Sequence, residues 1–332
     1  NVTSKRLTLF TPPTAYQSAS QQPTGSRFGA DAMYQGENRK RGAQISYYIN
    51  KPKVDKKDKK KEKDVSSSSV ENSKKDENKI KHDSIKLEIF DGARKIRTLK
   101  FKTPKENGLH KTTWYLREKG VARASRTIRK QTREPGGVTV KPGVYKLRMT
   151  FGDAVSEQNI NVEFDPRLQI SEEAINQKYV ASKELETYQE KMATIVKQLV
   201  ESKNTVTSLK SKFTKEDKKK YKIEIKASKE IIKKIDTLIA MYLGTVDKRQ
   251  GITRNPEVTI NNRFGTARWY VGSRFGKQTA TEKQLINQFK TSFNKGVEKT
   301  NMFFSEDWKK YKETVEKIEI SPFRKTSTFS IN

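Results

Sequence analysis

The sequence contains no cysteine and only two histidines, and these shortages remove much chemistry at once. Without thiols there is no disulfide framework, thiolate metal site or cysteine nucleophile, and the redox compartment stays open. His82 lies in a lysine-rich stretch and His110 at a strand entrance, with too few partners for a Ser-His-Asp triad or a histidine metal site. Apolar residues make up only 32% of the 332 positions, so modest cores and some unstructured chain are expected. No apolar run reaches membrane-spanning length, and no signal-peptide pattern opens the chain. Acid is the minority charge, 39 Asp and Glu against 70 Lys and Arg, for a net charge of +31. Such a balance suits an anionic partner (nucleic acid, an acidic glycan or a membrane surface), or a chain that uses lysine for solubility, since acids interleave with the lysines almost everywhere.

What is present falls into a β half and an α half, divided near Pro166. Val144, Lys146, Arg148 and Thr150 alternate with Tyr145, Leu147, Met149 and Phe151, the period of a strand with one buried face. Gly152-Asp153 supplies a turn, and Ile160, Val162 and Phe164 alternate on the return strand. Pro166 removes a ladder donor, and Ser171 with Glu172 and Glu173 then opens a helix.

Upstream, residues 1–42 are rich in Pro, Gly, Gln and Ser and read as a connecting segment, with Leu7, Leu9 and Phe10 as its one apolar run before Pro12-Pro13. The chain opens at Asn1 rather than Met, which raises the expectation of a C-terminal part of something longer. Ala43 to Asn50 reads as a first strand. Residues 51–83 hold twelve lysines and eight acids with four aliphatics, and are expected to be a disordered loop. That loop carries +4, so +27 is spread over the rest and the charge is no basic tail. Ile85–Phe90 and Lys95–Phe101 read as a hairpin about Asp91-Gly92, Leu109–Leu116 as a strand whose Trp114 fills the core, and 117–138 as basic and irregular. Strands of this number and size suit a small immunoglobulin-like sandwich.

In the second half Leu185, Tyr188, Met192, Ile195, Leu199, Ser202, Val206, Leu209 and Phe213 repeat at spacings of three and four. Tyr221, Ile225, Ser228, Ile232, Ile235, Ile239 and Tyr242 do the same, with Thr214–Asp217 as turn and N-cap between them. Two such stripes joined by a short turn predict an antiparallel helical hairpin. Residues 244–276 read as a loop-rich crossover containing Pro256. A capping box at Thr281–Gln284 opens a third helix through Leu285, Phe289, Phe293 and Val297. Ser305–Trp308 reads as the N-cap of a fourth, which Pro322 ends. The expected class is therefore α+β and multidomain: 1–42 connecting segment, 43–167 β-sandwich, 168–320 antiparallel helical bundle, 321–332 tail.

Few motifs carry chemistry. Gly272 to Gln278 is one residue short of a phosphate loop and has Gln278 where Ser or Thr would bind magnesium. No calcium loop is present, and Glu172-Glu173 and Glu306-Asp307 sit where first helical turns want acid. Catalytic residues, cofactor and metal are thus all expected to be none. One cluster remains as a candidate contact for an anionic ligand: Arg263, Arg268, Trp269, Tyr270, Arg274 and Lys277, interleaved with Phe264 and Phe275. Cations among aromatics suit stacking beside an anionic group, and equally suit packed rings with wet cationic heads.

Several motifs recur in an order that resembles a known group: Leu7 to Pro13, Gly42-Ala43 to Ile49, Ile85 to Gly92 with Ile96 to Leu99, Thr113 to Arg117, Pro142 to Tyr145, and Phe164 to Arg167. Together they resemble the C-terminal region of large exported bacterial proteins with a sialidase-repeat (BNR) or sortilin/VPS10-type β-propeller. The likeness covers essentially the whole chain. It departs in the length of the 51–83 loop and in Tyr115, where an acid is usual. It implies a propeller first, then an immunoglobulin-like domain of the flagellar hook-cap type, then a helical segment, outside the cytoplasm. The function it implies is a non-catalytic accessory module that braces or presents the upstream propeller and contacts other envelope or secreted proteins. The alternative is a module that binds nucleic acid or acidic glycan through 263–277.

Overall fold

The structure, a computed structural model, describes residues 2–17, 41–51, 84–213, 219–246 and 258–318. The lysine-rich loop beyond Lys51, most of the connecting segment, the expected N-cap at Thr214–Asp217, Pro256 and the tail from 321 lie outside the described residues. The chain divides into two compact units, one of residues 1–120 and 131–170, the other of 121–130 and 171–332. The first is built of sheets and the second of helices.

The sheet unit begins earlier than 43. Leu7–Leu9 (β1) and Ala15–Gln17 (β2) are strands, so this part of the expected connecting segment belongs to the sheets. β1 pairs antiparallel with Ala43–Ile49 (β3), and β3 pairs with Gly108–Trp114 (β6), giving a three-stranded sheet. Ser84–Asp91 (β4), Arg94–Lys102 (β5), Gly143–Phe151 (β9), Ala154–Phe164 (β10) and β2 form a five-stranded sheet in the order β2-β10-β9-β4-β5. Within it β2 runs parallel to β10 while the remaining pairs are antiparallel. Pro12 and Pro13 stand between β1 and β2, where missing amide donors let the chain leave one sheet for the other.

Both sheets feed one core. Ala43, Ile45, Tyr47 and Ile49 alternate inward from β3, Leu87 and Ile89 from β4, and Tyr145, Leu147, Met149 and Phe151 from β9. Trp114 joins them at 1% exposure, its indole donating to the Arg117 carbonyl at 3.0 Å and its ring edge-on to Tyr145. Gly42, at φ 89°, turns the chain into β3 where a Cβ would stand 2.6 Å from the Trp114 carbonyl oxygen, so no larger residue fits.

Glu88 lies on the other face of β4, nearly buried between Lys86 at 3.2 Å and Lys95 at 3.1 Å. Burial alone would raise its carboxyl, but hydrogen bonds and charge from the two lysines outweigh it and hold the group below its ordinary 4.5. A depressed folded-state carboxyl stabilises above its unfolded value and loses that contribution as pH falls through the folded one. Glu88→Gln is therefore expected to shrink the drop in urea midpoint on acidification below 4.5, measured against the parent chain. An unchanged drop would show that the lysines do not hold the carboxylate.

Arg117–Lys119 (β7) and Gly136–Thr139 (β8) form a small hairpin whose base Arg97 clamps. Its guanidinium donates to the carbonyls of Glu118, Glu134 and Pro135, while the Glu134 carboxylate accepts from the Thr98 amide at 2.8 Å. The intervening residues 121–130 cluster with the helices instead. The basic stretch expected to be irregular is thus a strand pair at its ends and a strap across the helical unit in its middle.

The helical unit opens with Glu172–Lys212 (α1), capped by Ser171, and returns through Lys222–Leu243 (α2). Lys203 meets Asp236 at 2.6 Å and Phe213 stacks near Tyr221, so the two run antiparallel, as their stripes predict. Ile260–Ser273 (α3) and Ala280–Met302 (α4) complete the packing around Phe264, Phe289 and Phe293. The strap is held by the buried Gln189, whose amide donates to the carbonyls of Val121 and Ala122 at 3.2 Å each, and by Arg126 on the Gly244 carbonyl.

Two helix boundaries differ from expectation. The capping box is Thr279 with Glu282, two residues before Thr281: the hydroxyl accepts the Glu282 amide and the carboxylate accepts the Thr279 amide. The helix does not restart at Ser305 either. α4 continues through a π-helical turn, Phe303–Trp308, into Lys309–Val315 (α5). The acids that read as an N-terminal turn, Glu306 and Asp307, are mid-helix, where Asp307 binds Lys234 at 2.6 Å. The wider turn lets Phe303, half-buried Trp308 and Tyr311 all pack inward.

Candidate functional site

Most of the basic-aromatic run sits on α3, which corrects the expected crossover loop over residues 260–273. Thr259 caps the helix by accepting the Asn262 amide at 3.0 Å, and Ile260, Phe264, Ala267 and Val271 recur on one face and are buried. Gly265 and Gly272 each sit on an open surface with nothing within 4 Å of a Cβ position, where a helix tolerates glycine.

Helical phase then splits the cluster. Phe264 points into the core, and Arg268 and Trp269 lie on a different flank from Arg263. Arg268 donates to the side-chain amide oxygen of Gln189 at 3.3 Å, so it braces the amide that holds the strap. Trp269, 66% exposed, packs edge-on with Tyr270. Arg274 donates to buried Glu282 at 2.8 Å and to the Lys277 carbonyl, and Lys277 itself pairs with Glu173 at 3.1 Å. Lys178 donates to the Arg274 carbonyl at 2.6 Å with its ammonium over the Phe275 ring. Burial pushes that ammonium below its ordinary value; Glu282 pulls it back and Arg274 adds to the fall. Arg268, Arg274 and Lys277 therefore have partners of their own inside the helical unit. The six candidates do not form one surface.

A different surface gathers three cations with no carboxylate among its lining. An open groove of about 730 Å³ runs along α4 with Arg263 at its side. Its cations are Arg263, Lys283 and Lys295, and its lining includes no carboxylate. Between them stand the amides of Gln284, Asn287 and Gln288 and the hydroxyls of Thr291 and Ser292. Of the cluster read from sequence, only Arg263 belongs to it. The signal was present as polar residues at 283, 284, 287, 288, 291, 292 and 295, one helical stripe, but a polar stripe is the ordinary outside of a helix.

Among the described residues no group of three or more His, Asp or Glu could hold a metal ion, and no helix is long and apolar enough to cross a membrane. His110 is half-buried beside the Tyr47 ring, with a ring nitrogen 3.0 Å from the Glu106 carbonyl oxygen; His82 lies outside the described residues. Fold and surface define a two-unit protein of mixed class, one unit of sheets and one of helices. The chain matches no protein-family model, and no curated protein or solved structure matches it.

Proposed function

We propose that the chain is a non-catalytic accessory region of a larger exported β-propeller protein, in which an immunoglobulin-like domain and a helical bundle brace or present the propeller and contact neighbouring envelope or secreted proteins. The observation that carries this reading is the strand order. Taken as immunoglobulin strands, β1, β3 and β6 correspond to A, B and E, and β2, β10, β9, β4 and β5 to A′, G, F, C and C′. Tyr145, near the start of the F strand, donates its hydroxyl to the Lys141 carbonyl at 2.7 Å, the tyrosine corner of that fold.

The motifs behind the propeller-protein resemblance support it further, because each has a part in this arrangement. Pro12-Pro13 separates A from A′, Gly42 lets the B strand pass the Trp114 carbonyl, and Gly143 to Tyr145 makes the corner. In Phe164 to Arg167, Asp165 accepts the amide and guanidinium of Arg167 and turns the chain out of the G strand. The upstream propeller, the extracytoplasmic location and the absence of catalysis come from the resemblance, and fold likeness by itself assigns no activity.

The test is the size and location of the native polypeptide, detected with an antibody raised against this chain. A species far larger than 38.3 kDa in the envelope or medium is expected. A species of 38.3 kDa in the cytoplasm, or turnover of a glycoside by the isolated chain, would overturn the reading.

A further inference from the structure

We infer that the groove along α4 is a binding site for an acidic glycan, an extended polysaccharide bearing carboxylate or sulfate groups. Three observations carry this. First, Arg263, Lys283 and Lys295 are all cationic, and none makes an ion pair among the described residues. Elsewhere in the helical unit some cations are matched: Arg274 has Glu282, Lys290 has Glu184, and Lys203 has Asp236. An unmatched set in a concave surface keeps its field for a ligand.

Second, the spacing suits a chain and not a lone anion. Lys283 and Lys295 are twelve residues apart on one helix, roughly 18 Å at the α-helical rise. Arg263 lies opposite the middle of that span. α3 and α4 are antiparallel, Phe264 stacking on Phe289 at 5.4 Å and Ile260 reaching Gly296, which sets Arg263 beside Thr291 and Ser292. The three charges are therefore spread along that span, with one member on the facing helix.

Third, the surface between the charges is neutral and hydrogen-bonding. Gln284, Asn287 and Gln288 offer both donors and acceptors, as vicinal sugar hydroxyls require, and Thr291 and Ser292 add hydroxyls of their own. No aromatic side chain lines the groove. Single-stranded nucleic acid gains much of its affinity from stacking bases on aromatic rings, which this lining does not provide. The exposed Trp269 and Tyr270 are outside it. Charge at intervals with neutral hydrogen bonding between matches an acidic polysaccharide better than a polynucleotide.

The experiment is calorimetric titration of the full chain with a heparin-derived oligosaccharide, alongside a neutral dextran oligosaccharide and an oligothymidylate. Three proteins are compared with the parent. In the first, Arg263, Lys283 and Lys295 are replaced by alanine. In the second, the exposed Lys229, Lys233 and Lys310, outside the groove, are replaced to give the same change in net charge. The third, Gln284→Ala with Asn287→Ala, leaves the charge unchanged. The groove triple is expected to weaken oligosaccharide binding about thirtyfold, the combined effect of three exposed charge contacts, and the distant triple by less than about threefold. The amide pair is expected to weaken it several-fold without altering its salt dependence. Circular dichroism melts of each variant separate lost binding from lost fold. Equal losses in both triples, tighter binding of the oligothymidylate through the same residues, or no binding by the parent chain would each overturn the inference.

Discussion

Phe289→Ala is expected to lower the stability of the helical unit by about 3–5 kcal/mol, the range for removing a fully buried phenylalanine. The ring is fully enclosed and meets three others: Tyr188 edge-on at 5.4 Å, Phe264 at 5.4 Å and Phe293 at 5.8 Å. Those partners come from α1, α3 and α4, so truncation opens a cavity that no single helix can fill by shifting. Gly296 shows how closely the neighbouring turn is packed, since a Cβ there would stand 2.5 Å from the Ile260 side chain and 3.2 Å from the Tyr242 hydroxyl. The measurement is the urea midpoint followed at 222 nm on the full chain. Phe289→Leu, which keeps most of the volume, should cost less than about 1.5 kcal/mol. If alanine costs no more than leucine, Phe289 is not the centre of this packing.

In the sheet unit the largest effect is expected at Trp114, where alanine should cost about 3–5 kcal/mol. The indole fills the space beside Tyr145 and satisfies the Arg117 carbonyl, so truncation loses volume and leaves a polar group unpaired. Phenylalanine restores much of the volume but no donor, and should sit between, about 1–2 kcal/mol below the parent. Amide exchange at Leu87 and Leu147, in the two central strands β4 and β9, provides the readout. Unchanged protection in Trp114→Ala would show that the sheets do not depend on the ring.

Much of the fold was legible because its signals are local. Alternation in 143–151 and in 43–49 identifies which side chains face the sheet core, and the structure buries those residues. The stripes from Leu185 and Tyr221 identify the helix faces in the same way, with Met192, Leu199, Val206, Ile235 and Ile239 all buried. Short apolar runs were less legible. Leu7-Thr8-Leu9 is too brief to show a period, and becomes a strand only because β3 supplies the ladder. The strap at 121–130 has no apolar pattern; its place among the helices rests on Gln189, 68 positions from Val121.

The candidate site was the least legible part. Arg268, Arg274 and Lys277 have the composition of an anion site, yet the structure turns them to Gln189, Glu282 and Glu173. A side chain's composition states what it can bind, and its partner depends on what the fold brings within 3 Å of it. The groove, conversely, uses residues that individually look like an ordinary wet helix face.

The sequence by itself determined the division into a sheet-forming and a helix-forming half, the inward face of each long element, and the cap at Ser171, because period and capping act over a few residues. Only the tertiary structure decided the rest. It joined β1 and β2 to different sheets, ran β2 parallel to β10, carried the strap to the helices, and continued α4 past Ser305. It also gave Arg274 and Lys290 carboxylate partners, while Arg263, Lys283 and Lys295 make no ion pair among the described residues. Each of these depends on groups far apart in the chain, whose proximity is a property of the packed core and of no stretch of residues alone.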